Sequence, residues 1–317
     1  METPRAYRAG DAASLLETWN AALSSDPLNL QRLTTKIFCD PNMEASGLPV
    51  VCDSAGNVIA FAYATHRRVA TRPDLPPDPD PGWVNAFGVH PQWRGRGLGS
   101  ACLEAALSYL RRAGCCRVRV DAFSPRYITP GVDIDAYPAA APFLTSIGFQ
   151  PDGEAVSMQA SLVDFEPTAG VLAAQAALRD EGVVVEPLSP DWLVDLVVFI
   201  RQYFQATTAQ VLQDAVTHGA NLRQVWIARE SDAIVGYGMY GIYDGNLERF
   251  GPFGVRPDQR GRRIGKVLLH RVMAAMQAQG LRLVWFQSTD ETSVASHLYR
   301  QAGFNTVRRF RAFQRAL

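Results

Sequence analysis

Lysine is almost absent from this 317-residue chain, occurring only at Lys36 and Lys266 among 31 basic residues. The arginine bias reads as codon usage in a GC-rich bacterium and points to no ligand. Net charge is missing too, because 31 acidic residues balance the 31 basic ones. Without an overall field, neither nucleic acid nor an anionic membrane is an expected partner. Cysteine is scarce: Cys39, Cys52, Cys102, Cys115 and Cys116 form an odd set with no C-x-x-C pair. No His lies near them at metal-ligand spacing, so free thiols are expected and no metal site. No apolar run reaches the roughly 18 residues of a membrane span. The opening segment METPRAYRAGDAASLLETW carries charges throughout and lacks the apolar core of a signal peptide. A cytoplasmic location is the expectation.

What the chain does have is ordinary globular composition, 47% hydrophobic and 20% charged, and enough length for two cores. It also has an internal repeat. Residues 87–99 read FGVHPQWRGRGLG and residues 253–265 read FGVRPDQRGRRIG, with eight identities at a constant offset of 166. An amphipathic run ending in Gly follows each, Ser100 to Gly114 and Lys266 to Gly280, and a strand-like run follows that, 116–123 and 281–288. Gly148-Phe149 and Gly303-Phe304 then recur at an offset of 155, so the first copy carries about eleven extra residues in between. With the hairpins upstream, each copy reads β-α-α-β-β-β-α-β-α-β-β. That pattern is α/β (α+β), a mixed twisted sheet flanked by helices. The expected division is 1–165, a connector at 166–181 that can hold a helix, and 182–317.

The repeated loop carries the chemistry. Closely spaced glycines between a strand end and a helix start let backbone amides converge on an anion, which the helix dipole also favours. A dinucleotide fingerprint fails because Ser100 stands where a third Gly or Ala is needed, and a P-loop fails because GRRIGKV is one residue short and lacks the metal-binding hydroxyl.

The pattern Gln92-x-x-Gly95-x-Gly97, inside the fuller run Val89 to Gly99, resembles the pyrophosphate loop of the GNAT N-acetyltransferases. The element order and the G-F pairs extend that resemblance over nearly all of both halves. It implies two tandem GNAT-like domains, acetyl-CoA (coenzyme A) as cofactor, and transfer of an acetyl group to a small-molecule amine by direct attack. By the same resemblance Phe87, Gly88 and Val89 meet the pantetheine arm. Arg94, Gly95, Arg96, Gly97, Leu98, Gly99 and Ser100 then cradle the pyrophosphate. The matching set is Phe253, Gly254 and Val255 with Arg260, Gly261, Arg262, Arg263, Ile264, Gly265 and Lys266. The family's thiolate-protonating Tyr corresponds to Tyr299 in the second half and to Leu144 in the first. Glu248 is the candidate base. Each half thus departs once, because Arg263 replaces the glycine found at Gly97.

Other features divide between roles. Tyr127 and Tyr137 in the insertion read as packing or as a substrate-tunnel border. The Pro-rich stretch from Arg72 to Gly82 is a lid or a solvated connection. His90 and His297 read as structural. A noncatalytic acyl-CoA sensor and a mycothiol-synthase-like acetyltransferase are the alternatives. The sequence names neither the acceptor nor the oligomeric state.

Overall fold

The computed structural model describes residues 3–69, 80–124 and 126–317. Two compact units emerge, one formed by residues 1–155 with 309–317 and the other by 156–308. The chain runs β1 (Arg5–Ala6), α1 (Ala12–Ala22), α2 (Leu30–Leu33), β2 (Pro49–Cys52), β3 (Val58–Thr65), β4 (Gly82–Val89), α3 (Leu98–Arg112), β5 (Arg117–Val120), β6 (Val132–Asp133), α4 (Ala140–Ser146) and β7 (Gln150–Ser161). It continues through α5 (Ala169–Asp180), β8 (Val183–Pro187), α6 (Leu193–Tyr203), α7 (Ala206–Thr217), β9 (Val225–Glu230), β10 (Ala233–Tyr240), β11 (Phe250–Val255), α8 (Ile264–Ala278), β12 (Leu283–Thr289), α9 (Val294–Gln301) and β13 (Asn305–Ala316). Among the described residues no helix is long and apolar enough to cross a membrane. No cluster of three or more His, Cys, Asp or Glu is arranged to hold a metal there either.

In the first unit β1 to β4 pair antiparallel in chain order. The VIAFAYAT run of β3 is buried along its whole length. Its Ala60, Ala62 and Ala64 pack beneath α3, while Phe61 and Tyr63 pack beneath α1 with Leu15 and Trp19. A strand covered on both faces has no polar side to show, which is why this one reads as an unbroken apolar run. The second unit repeats the plan: β8 to β11 are antiparallel, α6 and α7 cover one core and α8 with α5 the other.

The boundaries fall elsewhere than at 165 and 182. Residues 166–181 are mostly α5, whose Val171, Ala174 and Leu178 are buried at helical spacing. The closing strands also change places. Val156, Met158 and Ala160 of β7 sit in the second unit's core, paired with β12. Residues Phe313 to Ala316 of β13 pair with β5 in the first unit, and Phe310 pairs with Asp133 of β6. Alternation in a strand fixes which side chains turn inward but not which neighbour the strand joins. Consequently the first unit's core is completed by Phe313, 1% exposed and nearly at the end of the chain.

Phe313→Ala is expected to destabilise the first unit by about 3–5 kcal/mol, the usual cost of truncating a buried Phe. Urea unfolding measures it, and a loss below about 1 kcal/mol would remove β13 from that core.

Candidate acyl-transfer site

The site begins where two neighbouring strands part. β4 pairs with β5 in parallel only at Gly82↔Val118 and Trp83↔Arg119. Beyond Trp83, β4 keeps only its β3 partner. The β3 ladder runs Ala60↔Val89, Phe61↔Gly88 and Ala62↔Phe87, and His90 N–H donates to Ile59 C=O at 2.9 Å. In an antiparallel ladder the bonded direction alternates, so Phe87 and Val89 turn their N–H and C=O groups away from β3, towards the opening. Arg94 Nε confirms the direction by donating to Val89 C=O at 3.2 Å.

The register slips between Tyr63 and Ala64, which face Ala86 and Val84 and leave Asn85 as the extra residue of a bulge. Bulges re-aim side chains. Here Asn85 Nδ2 donates to Thr65 Oγ1 at 2.8 Å, while its Oδ1 is buried with no hydrogen-bond partner.

After Val89 the chain makes a 3-10 turn over Pro91–Trp93 and enters α3 through Gly95 (φ +76) and Gly97 (φ +78). Both are in the left-handed region, where glycine alone is unstrained. A Cβ added at either would meet nothing within 4 Å. The loop is therefore an open cradle of amides at a helix N-terminus, fit for a diphosphate.

A cavity of about 730 Å³ extends from this cradle along β4. Phe87, Gly88, Val89, Arg94, Gly95, Gly97, Leu98, Gly99 and Ser100 all line it. Arg96 does not, and its guanidinium stacks on Trp93 with 4.7 Å to the ring centroid. The far end is walled by Trp19 to Asp26, Asn85, Asp121 and the insertion from Ile128 to Tyr137. Tyr137 lines the cavity and Tyr127 does not. Tyr137 Oη donates to Asp26 Oδ2 at 2.8 Å and accepts the Ser25 N–H at 3.1 Å, tying the insertion to the segment after α1.

Sequence reasoning passed over Asp121, Asp133 and Asn85. Asp121 Oδ1 accepts Trp83 Nε1–H at 2.8 Å and its Oδ2 lies 2.6 Å from Arg119. Burial nevertheless holds its carboxyl above the usual range. Asp133 is 4% exposed and accepts the N–H groups of Asp135 and Ala136. The signal for Asp121 was its place at the end of the strand that β4 abandons. The others needed the bulge and the β6 pairing to be known.

The second unit keeps the backbone and changes the side chains around it. Arg256 N–H donates to Val235 C=O, and Arg260 Nε donates to Val255 C=O at 3.4 Å, so the strand end and its brace are repeated. Gly261 has φ +86, and Arg263 takes the left-handed geometry of Gly97 at φ +67. Arg262 is tied to Glu181 at 2.9 Å and Glu230 at 3.0 Å, and Arg262 holds Glu230 below the usual carboxylate range. Lys266 C=O bonds His270 Nδ1, Ile264 is buried, and Gly265 packs against Phe253 and Val255. A Cβ at Gly254 would meet the ring of Phe204, and one at Gly88 would meet Ala22 and the ring of Phe61.

Tyr299 is 7% exposed and ringed by Phe250, Phe253, Phe286 and Phe304 at 4.4–6.2 Å. Burial pushes its hydroxyl pKa up, and that hydroxyl has no hydrogen-bond partner among the described residues. Glu248 stands in the turn before β11, its backbone C=O accepting Trp285 N–H at 3.0 Å. Of the two histidines, His90 has a buried Nδ1 with no partner and His297 contacts Gln301. Of the Pro-rich stretch, 72–79 lie outside the described residues.

Residues 14–127 match the Acetyltransferase (GNAT) family and residues 221–306 match an Acetyltransferase (GNAT) domain. No curated protein matches the sequence. Among solved structures, the chain is similar to the GCN5-related glucosamine N-acetyltransferase region of a fungal multi-domain GH3 β-N-acetylglucosaminidase. The TM-score is 0.81 at 19% identity, covering 99% of this chain and 38% of that one, so this chain spans well under half of that protein. A GCN5-related N-acetyltransferase from Sphaerobacter thermophilus gives TM-score 0.70 at 19% identity, covering 99% and 95%. A tandem GNAT protein from the clavulanic acid biosynthesis pathway gives 0.65 at 17%, covering 100% and 98%. With a GNAT match in each half, and the same strand parting and loop geometry in both, the chain belongs to the GNAT acetyltransferase family as a tandem-domain member.

Proposed function

We propose that the first unit is an N-acetyltransferase that uses acetyl-CoA and a small-molecule amine. One observation carries this reading: a single cavity joins an anion cradle, the unpaired edge of β4 and a half-buried carboxylate. When bound, acetyl-CoA supplies an acyl group activated as a thioester. The amides from Arg94 to Ser100 would hold the diphosphate, and the N–H and C=O of Phe87 would meet the pantetheine amides. The Val89 N–H, whose C=O is taken by Arg94, would remain as a donor for the thioester carbonyl oxygen. Asp121 takes one proton from the incoming ammonium, since a protonated amine has no lone pair to attack with; the C–S bond breaks as the C–N bond forms, and the departing thiolate takes up the second proton shed by the nitrogen, because Leu144 stands where the family has its tyrosine. Tyr137 and Asp26 keep the acceptor end closed on that side.

In the second unit Phe204 stands beside Gly254 and two carboxylates hold Arg262. We assign it no turnover. Tyr299 and Glu248 remain its candidate residues, in a site whose aromatic packing supports stability more than proton transfer.

Isothermal titration with acetyl-CoA is expected to give one site per chain. Gly97→Arg strains a left-handed position by about 1–2 kcal/mol and is expected to weaken that site at least tenfold. Arg263→Gly is expected to leave the stoichiometry at one. A stoichiometry of two in that variant would mean that the second loop is competent once its side chain is gone. Saturable binding without turnover on any amine would make the protein an acyl-CoA sensor.

Turnover on an amine panel that includes glucosamine, the substrate class of the fungal neighbour, tests the chemistry. Asp121→Asn is expected to lower kcat by about 10²–10⁴-fold, the range for losing a general base. In the parent, activity should fall as pH drops through the raised carboxyl pKa of Asp121, because only the ionised form accepts a proton. A larger kcat loss in Tyr299→Phe than in Asp121→Asn would move the reaction to the second unit.

A further inference from the structure

We propose that Arg119 is a positioning residue for the transfer: it fixes the Asp121 carboxylate at the cavity and divides its charge between that group and Asp152. This inference rests on the acyl-transfer reading above and names what orients its base.

Asp121 stands just past the end of β5, and Arg119, two positions earlier, turns to the same side because side chains alternate along a strand. One nitrogen of Arg119 serves both acids. Its Nη2 lies 2.6 Å from Asp121 Oδ2 and 3.1 Å from Asp152 Oδ2, while its Nε is buried with no hydrogen-bond partner among the described residues. A guanidinium has five donors in a rigid fork, so a cation that leaves Nε unmade takes its position from the two carboxylates. Asp152 is fixed in turn. Gln314 of β13, opposite Arg119 in the ladder with β5, donates Nε2–H to Asp152 Oδ1 at 3.0 Å. The last strand of the chain thereby reaches Asp121 through two side chains.

On its other side Asp121 meets β4, where Trp83 Nε1–H donates to Oδ1 at 2.8 Å, so each carboxylate oxygen has one fixed donor. Each oxygen keeps a second lone pair. Asp121 lines the cavity, and the held carboxylate therefore retains the capacity to take a proton there. The charges around it pull in opposite directions. Burial lifts the Asp121 carboxyl, Arg119 and the Trp83 N–H draw it back down, and Asp152 lifts it again. Arg67 adds a positive charge 5.2 Å from the Trp83 ring centroid, and Asp26 and Asp133 add negative charge elsewhere on the cavity wall. Removing Arg119 and removing Asp152 must then move Asp121 in opposite directions, which a mere loss of packing would not do.

Carbon NMR titration of protein labelled at its aspartate carboxyls reads this directly, with Asp121→Asn identifying the resonance. An adjacent Arg lowers a carboxyl by about 1–3 pH units, and with the Arg119 side chain 37% exposed the lower end applies. Arg119→Leu is therefore expected to raise the Asp121 midpoint by about one pH unit. Arg119→Lys should hold it near the parent value, and Asp152→Asn should lower it. In turnover of acetyl-CoA with glucosamine, the acid limb of kcat should move up in Arg119→Leu and down in Asp152→Asn, with the KM for acetyl-CoA unchanged. A midpoint unmoved in Arg119→Leu, or raised in Asp152→Asn, overturns the inference. Where Arg119→Leu does not fold, the sign of the shift in Asp152→Asn decides it. Unchanged turnover in Asp121→Asn would instead fail the underlying reading.

Discussion

Two parallel strands that touch and then separate create the constraint from which the rest follows. Backbone N–H and C=O groups removed from water need partners, and β4 beyond Trp83 has given up one side of its ladder. Phe87 and Val89 consequently hold unpaired polar groups against an apolar cavity wall, with Arg94 meeting one carbonyl. Such an edge is stable beside a ligand that brings its own amides. The glycine loop lies at the end of the same edge, so a ligand with an amide-rich arm and a diphosphate head satisfies both at once.

The two units show how closely one backbone plan is repeated around different side chains. Strand register, the 3-10 turn, the arginine brace and a left-handed residue at the helix entry recur in each. What differs is the side chains around it. Phe204 stands beside Gly254 where Ala22 and Phe61 stand beside Gly88, and Arg262 pairs with two carboxylates where Arg96 stacks on Trp93.

The exchanged end strands give this division a structural price. Phe313 closes the core of the first unit, and Val156 and Met158 enter the core of the second, so neither half of the sequence encloses its own hydrophobic surface. The first unit's core is therefore complete only with residues from β13.

Repeat, element order, loop and glycine geometry were legible in the sequence, because each depends on local spacing. Gly95 and Gly97 announce positive φ, and the 166-residue offset announces two copies. Arg263 was also visible as a departure, although only coordinates show that it adopts the glycine geometry. Tyr299 illustrates the limit: its position matched the family pattern, but four phenylalanines from separate elements decide that its hydroxyl is desolvated. Asn85 carried no sequence signal and Asp121 only its place at a strand end, because a one-residue bulge and the parting of two strands bring them to one cavity. The sequence by itself determined the architecture and the anion-binding loop, through periodicity and backbone preference. Tertiary structure alone decided which side chains line the cavity of the first unit and which pack around the second loop, since those depend on contacts between residues far apart in the chain.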